Sequence, residues 1–326
     1  MAGFFSSMEF KPLSGREQPR FASIKTFFRL PHVDMSEGFD VALVGVPYDG
    51  GVSYRPGARF GPSRVREVSS LGRGFHWSRA INIFNELKVA DIGDCPIVPI
   101  DQKQTYSKIE DFFSALTGKG KRFVAVGGDH SVTLPLLRVV RQKAGQKLAL
   151  IHFDAHLDTY PAAWDCEHHH GSFVRHAVKE GLIDPAASLH IGLRGPLTGA
   201  DDLDFVKKHH LRVVTVDDIR NKGLNNYLKN LPEFTSHPTY LSFDIDCLDP
   251  AYAPGTGTPV IGGLTTYETQ RILRALKIKD LVGADVMEVS PPFDSAEITS
   301  LAAVDILFEC LCLMKSSLTA HVKRRT

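Results

Sequence analysis

Six ionisable side chains, drawn from three separate stretches, could together carry one piece of chemistry. The stretch "IHFDAHLDTY" at residues 151–160 leaves an apolar run and sets Asp154, His156 and Asp158 at alternate positions. Alternate residues of an extended chain share a face, so the three can be aimed at one point. His130 stands in "GGDHS" at 127–131, straight after the apolar "RFVAV", and Asp244 and Asp246 follow "TYLSF" in "DIDCLDP". Alone, a DxD pair is ordinarily a solvated turn, and a single His after a strand is ordinarily a structural residue. Four Asp and two His on one rim are a different matter. Unpaired like charges in a partly desolvated site repel and raise one another's pKa. Two divalent cations would balance the carboxylates and lower the pKa of a water held between them. Oxygen and imidazole donors without thiolate suit Mn2+, with Fe2+, Co2+ or Ni2+ also admitted, whereas structural Zn2+ ordinarily recruits Cys.

Short apolar, β-branched runs must position these residues, and they recur along the chain as "DVALVGV", "LKVADI", "RFVAV", "LALIHF", "LHIGL", "LRVVTV", "TYLSF" and "LVGADVMEV". Between them lie segments of helical periodicity, among them "YSKIEDFFSALTGKG", "SVTLPLLRVVRQ", "TTYETQRILRALK" and "EITSLAAVDILFECLCLM". Strands apolar on both faces, alternating with helices, predict an α/β fold: a three-layer αβα arrangement around a mostly parallel sheet of roughly eight strands. Ligands of such sheets bind beyond the carboxyl ends of the strands, where the six residues stand. No composition break marks a linker, so residues 21–326 read as one catalytic domain behind an N-terminal extension at 1–20.

Composition excludes several classes of function. The 38 Lys and Arg nearly cancel the 37 Asp and Glu, so no net field favours nucleic acid or an anionic membrane. The basic end "HVKRRT" reads as a solvated terminus. "SLAAVDILFECLCLM" is interrupted by Asp305 and Glu309 and is too short to span a bilayer. The start carries no signal-peptide pattern. Five cysteines without a CxxC fit free thiols in a reducing compartment, hence the cytoplasm.

"GGDHS", "FDAHLDTY", "SFDIDCLDPAYAPGTGTPVIGGLT" at 242–265 and "GADVMEVSPPFDSAEITSLAA" at 283–303 together resemble the ureohydrolase (arginase/agmatinase) family, in its agmatinase branch. "GVPYDGG" and "YRPGARFGP" belong to the same branch, and the likeness runs from about residue 20 to residue 314. The resemblance implies an arginase-like fold and a dinuclear manganese enzyme that hydrolyses a guanidino group to urea and an amine. It implies one Mn2+ on His130, Asp154, Asp158 and Asp244, and a second on His156, Asp154, Asp244 and Asp246, with Asp154 and Asp244 bridging. A guanidinium carbon is a poor electrophile, so the attacking water must be activated and the leaving amine protonated. Asp158 is then expected to follow the proton of the attacking water, His170 in "EHHHGS" to shuttle it, and Glu288 in "DVMEVSPP" to pair with the guanidinium. His168 and His169 read as surface loop residues. A homo-oligomer, trimeric or hexameric, is also implied.

The metal site does not choose among agmatine, 4-guanidinobutyrate, 3-guanidinopropionate and guanidine, the substrates of this branch. That choice falls to the loop "PAAWDCEHHH" at 161–170. Asp165 and Glu167 would favour an amine, which makes agmatine, giving putrescine, the first expectation. Arg175 in "HGSFVRHA" would instead favour the carboxylate of a guanidino acid, although on a helix surface it equally suits a salt bridge. Trp164 would narrow the pocket. "APGTGTPVIGG" lacks the spacing and lysine of a phosphate loop and reads as a rigid rim loop. Arg55 and Arg59, in the turn before a helix, read as structural. Two other classes of function compete: a non-catalytic guanidino-metabolite binder, favoured by loss of a ligand, and a zinc deacetylase on a related fold, which needs only one ion.

Overall fold

The eight apolar runs form eight strands: β1 Val41–Val46, β2 Val89–Asp94, β3 Arg122–Gly127, β4 Ala149–Phe153, β5 Leu189–Leu193, β6 Val213–Thr215, β7 Thr239–Asp244 and β8 Leu281–Met287. They make one sheet in the order β2-β1-β3-β8-β7-β4-β5-β6, and every pairing is parallel. This computed structural model describes residues 9–322; the first eight residues of the N-terminal extension and the last four of the basic end lie outside the described residues.

Successive side chains of a strand go to opposite faces, and both faces are covered, which is why the strands are apolar throughout. In β1, Val41 and Leu43 enter one core while Ala42, Val44 and Val46 enter the other. Helices α1 (Gly61–Val68), α2 (Gln102–Gly118), α3 (Thr133–Ala144), α4 (Phe173–Lys179), α5 (Thr266–Ala275) and α6 (Ile298–Val322) supply much of the cover. Val65 and Val68 of α1, Ile272 and Leu273 of α5 and the buried stripe of α6 close the first core. Ile109 and Phe113 of α2, Leu136 and Leu137 of α3 and Phe173 of α4 close the second. Two two-residue pairings, Phe75–His76 with Ile81–Asn82 and Glu233–Phe234 with Lys277–Ile278, are too short to carry a readable period. Among the described residues no helix is long and apolar enough to cross a membrane.

Register fixes what stands at the carboxyl rim. Phe153 lies opposite Phe243, and Asp244 lies opposite Met287. Asp154, Asp244 and Glu288 therefore emerge side by side from β4, β7 and β8. On the other side of β8, Val46 pairs with Gly127, so "GGDHS" leaves β3 beside the end of β1. Gly128 is required there because a Cβ would lie 1.8 Å from the Tyr48 carbonyl oxygen. Its own carbonyl accepts the Glu288 N–H at 2.9 Å, tying β3 to β8 at the rim. Arg59 pairs with Asp49, and Arg55 stacks over Phe293, so both hold the turn into α1.

Candidate active site

His130 Nδ1 lies 3.1 Å from Asp244 Oδ2, 3.2 Å from Asp154 Oδ2 and 3.3 Å from Asp158 Oδ2. His156 Nδ1 lies 3.1 Å from Asp246 Oδ2 and 3.3 Å from Asp154 Oδ1. Asp154 thus turns one oxygen to each imidazole and stands between two donor groups. Short turns hold the geometry: Asp154 Oδ1 accepts the His156 N–H at 2.6 Å, and Asp244 Oδ1 accepts the Asp246 N–H at 2.8 Å. The structure therefore brings all six sequence-selected residues together, with Asp154 spanning both groups more plainly than Asp244.

Electrostatics show what the cluster needs. Burial, then the neighbouring carboxylates, raise the Asp158 and Asp244 carboxyls well above their ordinary range. Burial also pushes Asp154 up, but hydrogen bonds from His130 and His152 outweigh it and hold it low. Burial lowers His130 and His156, and their Asp partners more than reverse it. Asp158 Oδ2 is buried and has no hydrogen-bond partner. An imidazole nitrogen ringed by three carboxylate oxygens, one of them orphaned, is a donor set that a divalent cation completes. The residues fit two such ions, one on the His130 side and one on the His156 side. By contrast, Glu309 beside His76 and Cys312 is bonded by Arg274 at 2.5 Å and His76 at 3.1 Å, and is satisfied within the protein.

Sequence reasoning missed a polar row beneath the rim. His190, His152, Ser242 and Asp285 are successive register partners across β5, β4, β7 and β8. His152 Nε2 meets Asp154 Oδ2 at 2.9 Å, and its Nδ1 meets His190 Nδ1 at 3.0 Å. A neutral His152 that donates from Nε2 must accept at Nδ1, so His190 carries its proton on Nδ1. On the other side, His130 Nε2 donates to Ser242 Oγ at 2.8 Å, which donates to Asp285 Oδ1 at 2.6 Å. Nε2 is therefore committed to Ser242, and Nδ1 is the atom on which a cation would replace a proton among the three carboxylates. A signal existed: His152 continues the alternate spacing of Asp154, His156 and Asp158 by one step back.

His170 opens the loop before α4. Its Nδ1 meets Glu288 Oε1 at 3.1 Å, and its Nε2 meets Ser53 Oγ at 2.7 Å. Burial alone would lower the imidazole, but the Glu288 carboxylate outweighs it and lifts it to about 9. Glu288 has a left-handed backbone, φ 64°, and is buried. Its Oε1 also accepts the His130 N–H at 2.9 Å, whereas Oε2 has no partner. Asp129, also missed, accepts the Gly51 N–H at 2.7 Å, and Gly51 in turn accepts the His170 N–H at 3.0 Å.

These residues border a cavity of about 380 Å3 lined by His130, His156, Asp158, Asp244, Ser53 and His170 below and by Tyr160, Trp164 and His169 above. Glu288 lies behind His170, outside that lining. Trp164 is at the mouth. Asp165 and Glu167 are exposed and do not line the cavity. Arg175 is a correction to the carboxylate-binding expectation: its Nε donates to the Thr159 carbonyl at 2.6 Å and its guanidinium stacks on Phe205, so it holds the loop from behind. His169, read as a surface residue, lines the cavity, while His168 packs on Tyr106 and His176.

A parallel αβα sheet with a buried carboxylate–imidazole cluster at its carboxyl rim defines a class of metal-site hydrolase folds. Comparison narrows it. Residues 39–313 match the arginase family. A guanidinopropionase of Pseudomonas aeruginosa is 43% identical over 94% of this chain and 96% of its own. An agmatinase of Photorhabdus laumondii is 40% identical over 89% and 92%. The structure of proclavaminate amidinohydrolase from Streptomyces clavuligerus superposes with a TM-score of 0.85 at 42% identity, covering 92% of this chain and all of that one. The chain belongs to the arginase family and is a hydrolase of that family.

Proposed function

We propose that the chain hydrolyses the terminal amidino group of a small linear guanidino compound, releasing urea and an amine. The observation that carries this is the pairing of His170 with Glu288 beside the convergent oxygens of Asp154, Asp158 and Asp244. Two divalent ions, Mn2+ on this reading, held by the His130 and His156 groups would supply Lewis acidity that brings the pKa of water down toward neutral. Asp158 accepts the proton that the attacking water loses, through Oδ2, the oxygen that no hydrogen bond occupies. His170, kept protonated by Glu288, donates to the departing amine nitrogen. Glu288 acts here through His170; the guanidinium contact expected of it would require its buried Oε2 to enter a cavity whose lining it lies outside.

Agmatine, giving putrescine, remains the first substrate to assay, but neither side-chain charge that divided the candidates faces the cavity. Relatives bear the names of both a guanidinopropionase and an agmatinase, which supports the shared guanidino chemistry above either tail. The zinc deacetylase reading is disfavoured because Asp154 faces two imidazoles with separate oxygens. The five free thiols support a cytoplasmic setting, and the family resemblance supports a homo-oligomer. The test is urea release from Mn2+-loaded protein with agmatine, 4-guanidinobutyrate, 3-guanidinopropionate and guanidine. His170→Asn is expected to lower kcat by about a hundredfold or more with metal content unchanged. No urea from any substrate, with two ions per chain measured, overturns the proposal.

A further inference from the structure

The amidinohydrolase reading leaves open what holds the rest of the substrate, and the mouth of the cavity answers in its chemistry. The cavity grades from buried His130, Asp158 and Asp244 to exposed Pro161, Ala162 and Trp164. Among the described residues lining that mouth, none is Asp, Glu, Lys or Arg. The wall there is aromatic: Tyr160, Trp164 and His169. Burial lowers the His169 imidazole, and its Nε2 donates to the Pro161 carbonyl at 2.9 Å, so the ring is a fixed neutral surface.

The loop is preformed. Tyr160 N–H donates to the Gly171 carbonyl at 3.0 Å, and His169 N–H to Ser172 Oγ at 3.0 Å. Ala163 and Cys166 exchange both backbone hydrogen bonds, at 3.0 and 2.8 Å, closing a two-residue hairpin around Trp164 and Asp165. Both central residues have positive φ, 50° and 59°. Asn-Gly would make such a turn without strain. Here a tryptophan takes that left-handed conformation, 76% exposed and among the residues that line the cavity.

We propose that Tyr160, Trp164 and His169 form a charge-neutral aromatic clamp for the carbon chain that follows the guanidino group, with the tail's terminal group left in water. The substrate class is then short unbranched alkylguanidines, selected by the shape and length of the tail and not by its charge. The clamp rests on the amidinohydrolase reading. Ring faces cover methylenes through burial and dispersion, and an exposed ring adds only a weak pull on a cationic end.

The test compares kcat/KM for agmatine, 4-guanidinobutyrate, its uncharged amide and tail-less guanidine. The three tailed compounds are expected within about tenfold of one another, the span a solvated charge can produce. Trp164→Ala is expected to lower all three by about tenfold or more and leave guanidine unchanged, with Trp164→Phe recovering most of the loss. Melting temperatures should match, since the indole is not in the core. A hundredfold preference for one charge type, or equal effects of Trp164→Ala on tailed and tail-less compounds, overturns the clamp. Absence of urea from all four overturns the underlying reaction instead.

Discussion

At the scale of single residues, Glu288 governs the site without lining its cavity. One carboxylate oxygen ties the His130 backbone to the His170 ring, linking the proposed metal side to the proposed proton donor. Because the His170 imidazole is raised to about 9, it stays protonated through neutral pH. The accompanying stability is complete below the ordinary value of about 6.5, and the acid function holds wherever the pH is well under 9. Both are lost as pH rises through about 9. The alkaline limb of kcat/KM should therefore fall near 9, and Glu288→Gln should move it toward neutrality because the charge that raises His170 is gone. A limb unmoved in that variant would remove His170 from the proton path. Little of this was legible in sequence. Glu288 was reached through its motif, but its contact with His170 joins residues 118 apart, and Ser53 had no local signal. Trp164 was visible as a bulky loop residue, yet "WD" is not the pair a two-residue hairpin favours, so the turn that presents it was hidden.

At the scale of elements, the strands and the six residues at their carboxyl ends are legible in sequence, and the polar row inside the strands is not. Apolar runs bounded by Gly and Asp announce a parallel strand whatever its neighbours, and all eight were placed. Register is invisible to a single strand's pattern, and register is what aligns His190, His152, Ser242 and Asp285. His152 is hidden inside the apolar run "LALIHF" because one polar residue scarcely changes a strand's hydropathy. Buried polar groups are ordinarily paired, and in this row all but the outer nitrogen of His190 have a partner. The row ends on Asp154 and His130, two of the proposed ligands, through His152 on one side and Ser242 on the other. His152→Phe and Asp285→Asn should each weaken Mn2+ binding about 10–100-fold, the usual cost of removing a group that orients a ligand. Competition with a chelator measures this directly. Wild-type metal affinity in both variants would reduce the row to a packing device.

At the scale of the whole molecule, the rim exists only in the folded chain. His130, Asp154 and Glu288 follow β3, β4 and β8, Asp244 ends β7, and His130 and Glu288 are 158 residues apart. An unfolded chain cannot gather them, so any ion they bind adds to native stability alone. At a hundredfold excess over Kd each ion contributes about 2.7 kcal/mol, so two should raise Tm by roughly 5–10 °C in a chain of this size. The gain should depend on pH with a definite sign. Burial and like charge raise the carboxyls of Asp158 and Asp244, so in the absence of ions protonating them relieves the fold. Their stabilising effect as neutral groups is therefore complete below the ordinary carboxyl range and is lost as pH rises. Cations must displace those protons, which is easier at high pH. The Tm difference between Mn2+-loaded and chelated protein should accordingly widen from pH 6 to pH 8, and Asp158→Asn should narrow it at both. Equal melting with and without Mn2+ across that range would separate the cluster from metal binding, and with it the reaction proposed for the cavity.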